Sequence, residues 1–152
     1  MAGPFYARST DGNDADTGAS WALAEATAAA GVADCAIGER LWISQNHAES
    51  ATGAKTLAAV ASATGFVEVL CGNDAAEPPT ALATTGSVTS TGAGSIDFTG
   101  SLYVDGLIFV AGSDGNQNNI NVNADGVSNV TQVFRNCKFR IAATHGSTRF
   151  FF

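Results

Sequence analysis

The chain has 152 residues, of which 45% are hydrophobic, and its 7 Lys plus Arg against 14 Asp plus Glu give a formal net charge of −7. This length and apolar content are typical of one folded domain with a buried core, and they exclude a wholly disordered polypeptide. Nucleic-acid affinity comes largely from clustered cations, so the chain is not expected to bind DNA or RNA.

The first 38 residues differ in composition from the remainder. PFYARS alternates weakly and predicts a short entry strand, and the turn formers of STDGNDADTGAS predict a loop after it. The Ala-rich run SWALAEATAAAGVA predicts a helix with Ser20 as N-cap and Gly31 at its end. Trp21 and Leu23 are the expected anchors that pack this helix on the rest of the domain.

From residue 39 to residue 152, short β-prone runs recur between Gly, Asn, Ser, Thr and Asp. They are LWISQ at 41–45, FVEVLC at 66–71, SIDF at 95–98, LYVDGLIFVA at 102–111 and VTQVFRNCKFRIAA at 130–143. Side chains alternate across a strand, so a period of two selects the residues that face the core. The predicted inward residues are Leu41, Ile43, Val67, Val69, Cys71, Ile96 and Phe98. Trp42, Glu68 and Asp97 lie between them and are predicted to face outward.

Two of these runs match each other at an offset of 139 − 109 = 30 residues. The matched pairs are Val104 with Phe134, Leu107 with Cys137, Phe109 with Phe139 and Ala111 with Ile141. The positions between them are Ile108 and Val110 in one copy but Lys138 and Arg140 in the other, so one face is apolar in both.

Recurrence at roughly 26 to 30 residues is the size of one coil in a parallel stack, whereas a hairpin meander repeats at about ten. We therefore predict parallel coils that place Phe109 over Phe139 and Leu107 over Cys137. An antiparallel sandwich is the alternative fold.

The remaining sequence features predict local structure rather than chemistry. The Asn-rich stretch 114–129 predicts a turn and one more polar rung, with Ile120 and Val122 facing inward. Cys35, Cys71 and Cys137 are odd in number and widely spaced, which predicts buried free thiols rather than disulfides or a zinc site.

The chain start, MAGPFYARST, lacks the basic and apolar segments of a signal peptide, and no run approaches a membrane span. We therefore expect synthesis in the cytoplasm and no membrane insertion.

Taken together, these features resemble the start of a right-handed parallel β-helix of the pectin-lyase-like superfamily, in particular the versions carried by tailed-phage virion proteins. The segments that carry the likeness are FYARSTDGNDADTGASWALAEATAAA, GERLWISQNHAES, LYVDGLIFVAG and NCKF within VFRNCKF, which together cover nearly the whole chain. The resemblance implies an all-β β-solenoid in which residues 1–38 supply an entry strand, a loop and a capping α-helix. Residues 39–152 would form the coils of the same domain.

The same resemblance implies a structural phage virion protein, either a surface-exposed capsid decoration or a spike component. Such relatives are usually homotrimers that also contact other virion proteins, so the expected location is the virion. In a trimer, outward Trp42, Leu70 and Val110 would lie between subunits. Phe150, Phe151 and Phe152 end the chain without a cap, which favours an assembly or further residues beyond 152. The early start of the coils predicts no separate particle-binding domain, which favours a capsid decoration protein or a spike docked by its own helix end.

Two alternatives remain open in the same family: a tailspike polysaccharide depolymerase and a glycan-binding receptor-binding protein. Glycoside hydrolysis needs two carboxyl groups about 5 to 10 Å apart. The outward candidates are Glu68, Asp97 and Asp105, and the available basic residues are Arg135, Lys138 and Arg140. Stacking of Glu68 on Asp97 is the one pairing that the spacing suggests.

No catalytic residue is assigned, because nothing in the sequence fixes two acids together and a solvated face explains them equally. Trp42 and Tyr103 are candidates for stacking on a sugar or for contacts between subunits.

No metal ion or cofactor is expected. The loop DGNDAD resembles a calcium loop but has Ala15 where an oxygen ligand is needed, so Asx-type turns are the simpler interpretation. His47 and His145 are 98 residues apart and are interpreted as polar turn residues.

Overall fold

The fold was analysed in a computed structural model, which describes residues 4–112 and 119–142 and the backbone of 149–151. It contains a short 3-10 turn at Trp21–Leu23 and one α-helix, α1, at Ala28–Asp34. The strands are β1 Phe5–Ala7, β2 Arg40–Ser44, β3 Ala48–Thr52, β4 Lys55–Ala58, β5 Val67–Gly72, β6 Ser87–Thr91, β7 Ile96–Thr99, β8 Leu102–Asp105, β9 Ile108–Ala111, β10 Asn119–Asn121, β11 Gln132–Arg135, β12 Lys138–Ile141 and β13 Arg149–Phe151.

The strands form three parallel sheets that the chain visits in turn. The first sheet has the order β1-β2-β5-β8-β11, the second β3-β6-β9-β12 and the third β4-β7-β10-β13. Each neighbouring pair of strands in the described residues is parallel. The prediction of parallel strands is therefore confirmed, and the antiparallel sandwich is wrong.

The offset of 30 residues is the true register between the two matching runs. Val104 pairs with Phe134 and Phe109 pairs with Phe139. The Phe109 and Phe139 rings stack with their centroids 5.6 Å apart and their planes 16° apart. Leu107 and Cys137 pack in the same apolar cluster. The predicted stacking of Phe109 over Phe139 is therefore confirmed.

The predicted core is confirmed. All seven residues assigned to the inward face from Leu41 to Phe98 are fully buried. Ile120 is buried on β10, and Val122 packs partly buried against the same cluster. Cys35, Cys71 and Cys137 are free thiols, the first two buried and the third half-buried.

The helix begins later than the sequence indicated. Thr27 is its N-cap, and its hydroxyl accepts a hydrogen bond from the Ala30 N–H at 3.1 Å. Ser20 instead precedes the 3-10 turn and makes no capping bond with its side chain. The Ala-rich composition favours helix throughout this run, so tertiary packing decides which part of the run is helical.

Gly31 lies in the middle of α1 rather than at its end. A Cβ at this position would lie 2.6 Å from Cδ1 of the fully buried Leu41, so the glycine allows the helix to lie directly on β2. Leu23, predicted as an anchor, is 44% exposed, and this prediction is wrong. Trp21 is buried as expected, but in a different cluster from α1.

A second apolar cluster covers the outer face of the first sheet. Trp42 and Leu70 face away from the core, as predicted for Trp42, but are only 7% and 9% exposed. Tyr6, Trp21 and Ala24 of the N-terminal segment pack over them. We call these five residues the outer cluster. Because the chain covers Trp42 and Leu70 itself, their burial does not require a subunit contact.

No helix in the described ranges is long and apolar enough to cross a membrane.

Two glycines with the same backbone conformation provide a test of how closely the coils pack. Gly100 has φ +68° and Gly126 has φ +64°. A Cβ at Gly100 would overlap the carbonyl oxygen of Ala59, whereas a Cβ at Gly126 would meet nothing within 4 Å.

We expect Gly126→Ala to lower the free energy of unfolding by about 1–2 kcal/mol, the cost of a left-handed residue with a Cβ. Gly100→Ala should lose about 1–3 kcal/mol more through overpacking. Urea denaturation of both variants measures the difference, and equal losses would show that the coils do not approach closely at Ala59.

Candidate functional site

The three candidate acids lie on two different sheets. Glu68 is on β5 and Asp105 ends β8, both in the first sheet, whereas Asp97 is on β7 in the third. The register partners of Glu68 are Arg40 and Tyr103, so the predicted stacking of Glu68 on Asp97 is wrong.

That prediction assumed a constant coil length. Glu68 and Asp97 are 97 − 68 = 29 residues apart, close to the offset of 30 between the matching runs. The coil from Val69 to its partner Val104 is longer, 104 − 69 = 35 residues. A loop between β5 and β6 lengthens this coil, so residues 29 apart fall on different sheets here.

Each candidate acid is already bonded within the chain. Glu68 accepts a hydrogen bond from Nε of Arg40 at 2.7 Å, and the Arg40 guanidinium also lies over the Trp42 ring, 5.5 Å from its centroid. Asp97 accepts a bond from Nδ2 of Asn121 at 2.5 Å. In both cases the partner is the register neighbour on the adjacent strand.

Asp105 is the most enclosed of the three acids and is 3% exposed. Nδ2 of Asn136 donates to its Oδ1 at 2.8 Å, the Tyr103 hydroxyl lies 3.4 Å from its Oδ2, and Nε of Arg135 lies 3.9 Å from the same oxygen. A hydrogen bond with Tyr103 and the nearby charge of Asp105 raise the pKa of Arg135 above its ordinary value.

Glu68 and Asp105 share the outer face of neighbouring strands. Glu68 pairs with Tyr103, and Asp105 pairs with Leu70, so the two acids are two residues apart in register. Ideal strand spacing places their Cβ atoms about 8 Å apart, inside the range of about 5 to 10 Å that glycosidases use. Both carboxylates accept bonds from the chain's own side chains. Asp105 is enclosed, whereas the Glu68 side chain is partly exposed.

The aromatic candidates are also engaged within the chain. Trp42 is buried in the outer cluster. Tyr103 is half-buried, and its ring stacks on Phe66 with centroids 5.5 Å apart. Phe150 and Phe151 belong to β13, whose backbone pairs with β10, but their side chains and Phe152 lie outside the described residues.

The outer face of the second sheet carries the exposed cations. Lys138 pairs with Ile108 and Arg140 with Val110. Both cations are exposed, and both aliphatic partners are half-buried. The prediction that these positions face outward in both copies is confirmed.

A buried polar cluster that the sequence did not reveal lies where α1 meets the first full coil. His47, interpreted as a polar turn residue, is 1% exposed. Its Nδ1 accepts a bond from the Ser9 N–H at 3.1 Å, and its Nε2 lies 3.5 Å from Oε2 of Glu49. Glu49 also accepts from the Ala28 N–H at 3.0 Å and lies 3.1 Å from Nζ of Lys55.

This cluster, which we call the cap cluster (His47, Glu49 and Lys55), ties the start of α1 to β3 and β4. Burial alone would raise the pKa of Glu49, but bonds from His47, the Ala28 N–H and Lys55 outweigh it and lower the pKa. One feature of the sequence could have revealed this cluster, namely the alternation of β3, which places Glu49 at an inward position. An acid at such a position needs buried partners.

The entry loop forms local turns, as the sequence indicated. Oδ1 of Asn13 accepts from the Ala15 N–H at 3.1 Å in an Asx-type turn. Asp14 accepts from the N–H and hydroxyl of Thr27 at 2.8 and 3.0 Å. Among the residues with described placement, no group of three or more His, Cys, Asp or Glu side chains is arranged to hold a metal ion. His145 lies outside those residues.

Comparison of the chain with protein-family models, with curated proteins and with solved structures finds no match.

The cap cluster predicts a fall in stability on the acid side. A carboxyl whose folded pKa is lowered contributes stability above its unfolded pKa of 4.5, and this contribution is lost as pH falls through the folded pKa. We expect the melting temperature to drop below about pH 4.5 and this drop to be smaller in Glu49→Gln.

Lys55→Met should cost about 3–5 kcal/mol at neutral pH, because it leaves Glu49 buried without its ammonium partner. Calorimetry of both variants, with Glu39→Gln as an acid outside the cluster, measures these effects. If Lys55→Met is as stable as the parent chain, the cap cluster does not hold the helix.

Proposed function

We propose that the chain is a right-handed parallel β-helix and a structural component of a tailed-phage virion, exposed on the particle as a decoration or spike protein. The observation that carries the fold is the cyclic visit to three parallel sheets, with each strand in register on its counterpart one coil away. Connections between parallel strands are right-handed in nearly all proteins, which supports the hand.

A structural role is supported by where the polar side chains are directed. On the outer face of the first sheet, Arg40 bonds Glu68 and Asn136 bonds Asp105, in each case from one coil to the next. On the third sheet, Asn121 bonds Asp97 in the same way. These groups brace neighbouring coils, which suits a rigid surface module better than a site that must receive a substrate.

The outer face of the second sheet is the best candidate for self-association into the proposed homotrimer. Trp42 and Leu70 are buried within the outer cluster, whereas Ile108 and Val110 are half-buried on the outer face of β9. Apolar residues that lie together on an outer face are typical of an interface.

Val110→Glu should therefore convert a trimer to monomers without unfolding it. Val60→Glu, at a 54% exposed valine in a loop, is the matched control and should leave the trimer intact. Sedimentation equilibrium reports the mass of each protein. A parent chain that sediments as a monomer would refute the trimer, and a Val110→Glu trimer would place the interface elsewhere.

Polysaccharide cleavage or glycan binding at the first sheet is the competing function, and the spacing of about 8 Å between Glu68 and Asp105 favours it. A reducing-sugar or unsaturated-uronate assay on host capsule tests turnover. Activity that is lost in Glu68→Gln and Asp105→Ala would favour the enzyme over the structural role. Glycan binding without turnover would indicate a receptor-binding spike.

The structural proposal is tested most simply on the particle. We expect antibodies raised against the chain to label virions of the phage that encodes it, and mass spectrometry of purified virions to give its copy number. Hundreds of copies on the head would indicate decoration, and a few at the tail would indicate a spike. Absence from purified virions would refute the proposal.

A further inference from the structure

Four carboxyl groups converge on the N-terminal end of the fold. Asp14 and Asp16 come from the entry loop, Glu25 from the segment that precedes α1, and Asp34 from the last residue of α1. Asp34, Asp14 and Asp16 all act electrostatically on Glu25. Five ion pairs connect described residues, and none of them includes any of these four acids. We call the four residues the acidic cluster.

Glu25 is fixed in place by its backbone. Its N–H donates to the Tyr6 carbonyl at 2.9 Å, and its carbonyl accepts from the Arg8 N–H at 2.8 Å, so that it extends the edge of β1 through a bridge to Ala7. Gly18 lies over the side chain, since a Cβ there would be 3.6 Å from Cγ of Glu25. The backbone of Glu25 is therefore fixed at the edge of β1, with its side chain beside Gly18.

The carboxyl of Glu25 is enclosed and incompletely bonded. The residue is 1% exposed, and its Oε2 is buried without a hydrogen-bond partner. An ionised carboxylate in such a place has a high desolvation cost and normally requires a cation. The charges that act on Glu25 are instead those of Asp34, Asp14 and Asp16, all of them acids. Burial without a cation therefore favours the protonated, uncharged form of the carboxyl.

We propose that Glu25 is a proton-operated latch, whose protonated and therefore uncharged carboxyl allows the entry segment (residues 5–27) to stay packed against the neighbouring strand β2. Loss of the proton places a buried negative charge among three other carboxylates and loosens this segment from the coils. The inference goes beyond the proposed function and does not depend on a place in a virion.

The direction of the pH effect follows from the same surroundings. Burial is the largest cause, and together with the nearby Asp34, Asp14 and Asp16 it raises the pKa of Glu25 from 4.5 to about 7. The folded chain then binds more protons than the unfolded chain between these values, so the stability of the entry segment falls as pH rises through this window.

The other charged groups near Glu25 are committed elsewhere. Arg8, whose backbone bonds Glu25, directs its guanidinium to Asp11 and to the Trp21 ring. Tyr6 has a pKa raised above 10.0 by burial and by Glu77, outside the window.

The tryptophans of the chain can report whether the entry segment has loosened. Its two tryptophans, Trp21 and Trp42, both lie in the outer cluster, which the entry segment completes. Loosening of that segment exposes both rings to water, whereas the core beneath the sheets contains neither.

The test is a pH titration of the whole chain from about pH 5.5 to about 8.5, a range that spans the expected midpoint. Tryptophan fluorescence should shift to the red with a midpoint near pH 7. Hydrogen exchange of the Glu25 and Arg8 amides, corrected for intrinsic rates, should quicken by about tenfold or more across the same range. Glu25→Gln should remove both changes.

Three further variants keep the test decisive. Asp34→Asn changes an exposed residue, should fold, and should lower the midpoint by removing one of the neighbouring charges. Asp125→Asn, an exposed acid outside the cluster, should leave the midpoint unchanged. His47→Gln tests whether the pH transition comes from a histidine instead, since histidine is the residue type that ordinarily titrates in this range.

The latch would be overturned if tryptophan fluorescence and amide exchange in the parent chain did not change across this pH range. An unchanged midpoint in Asp34→Asn would also overturn it. A transition that persists in Glu25→Gln but disappears in His47→Gln would assign the effect to the cap cluster instead.

Discussion

The structure depends on one constraint, namely that the inward side chains of three parallel sheets pack into one apolar core while each strand stays in register with the next strand of its sheet. Phe98 contacts Phe109 and Phe134 edge to face, at 4.9 and 4.8 Å between centroids, and Phe109 stacks on Phe139. A slip of one residue would move every such side chain to the outer face. In-register burial therefore fixes the parallel pairing, the positions of the turns and the outward direction of the polar residues.

A stack of this kind has to cover its first coil, and here α1 and the entry segment do so by different means. The helix lies on Leu41 through Gly31 and is anchored by the buried Glu49. The entry segment covers the outer cluster and depends on the protonation of Glu25. The two carboxyls respond to pH in opposite directions, since surrounding donors lower the pKa of Glu49, whereas burial and the surrounding acids raise that of Glu25.

Local patterns in the sequence were sufficient to predict β2, β5, β7 and the strands of the two matching runs, with the inward residues named for them and the offset of 30, because alternation and repetition are direct consequences of strand geometry. The strands β3, β4 and β6 were missed, since AESAT, KTLA and SVTST contain few large apolar residues. They did not predict where α1 begins, since an Ala-rich run favours helix equally at every position. The pairing of Glu68 with Asp97 failed because coil lengths vary with their loops. His47 and Glu49 appeared ordinary in the sequence, since their burial depends on a helix that reaches them from another part of the chain.

The register can be measured directly with paired cysteines in a Cys137→Ala background. Val110 and Arg140 are register partners on β9 and β12, and neighbouring strands place such Cα atoms at a distance that a disulfide spans. We predict that Val110→Cys with Arg140→Cys cross-links readily on mild oxidation, whereas Val110→Cys with Lys138→Cys, two residues out of register, does not. Preferential cross-linking of Val110→Cys to Val133→Cys, as an antiparallel hairpin would give, would contradict the parallel stack.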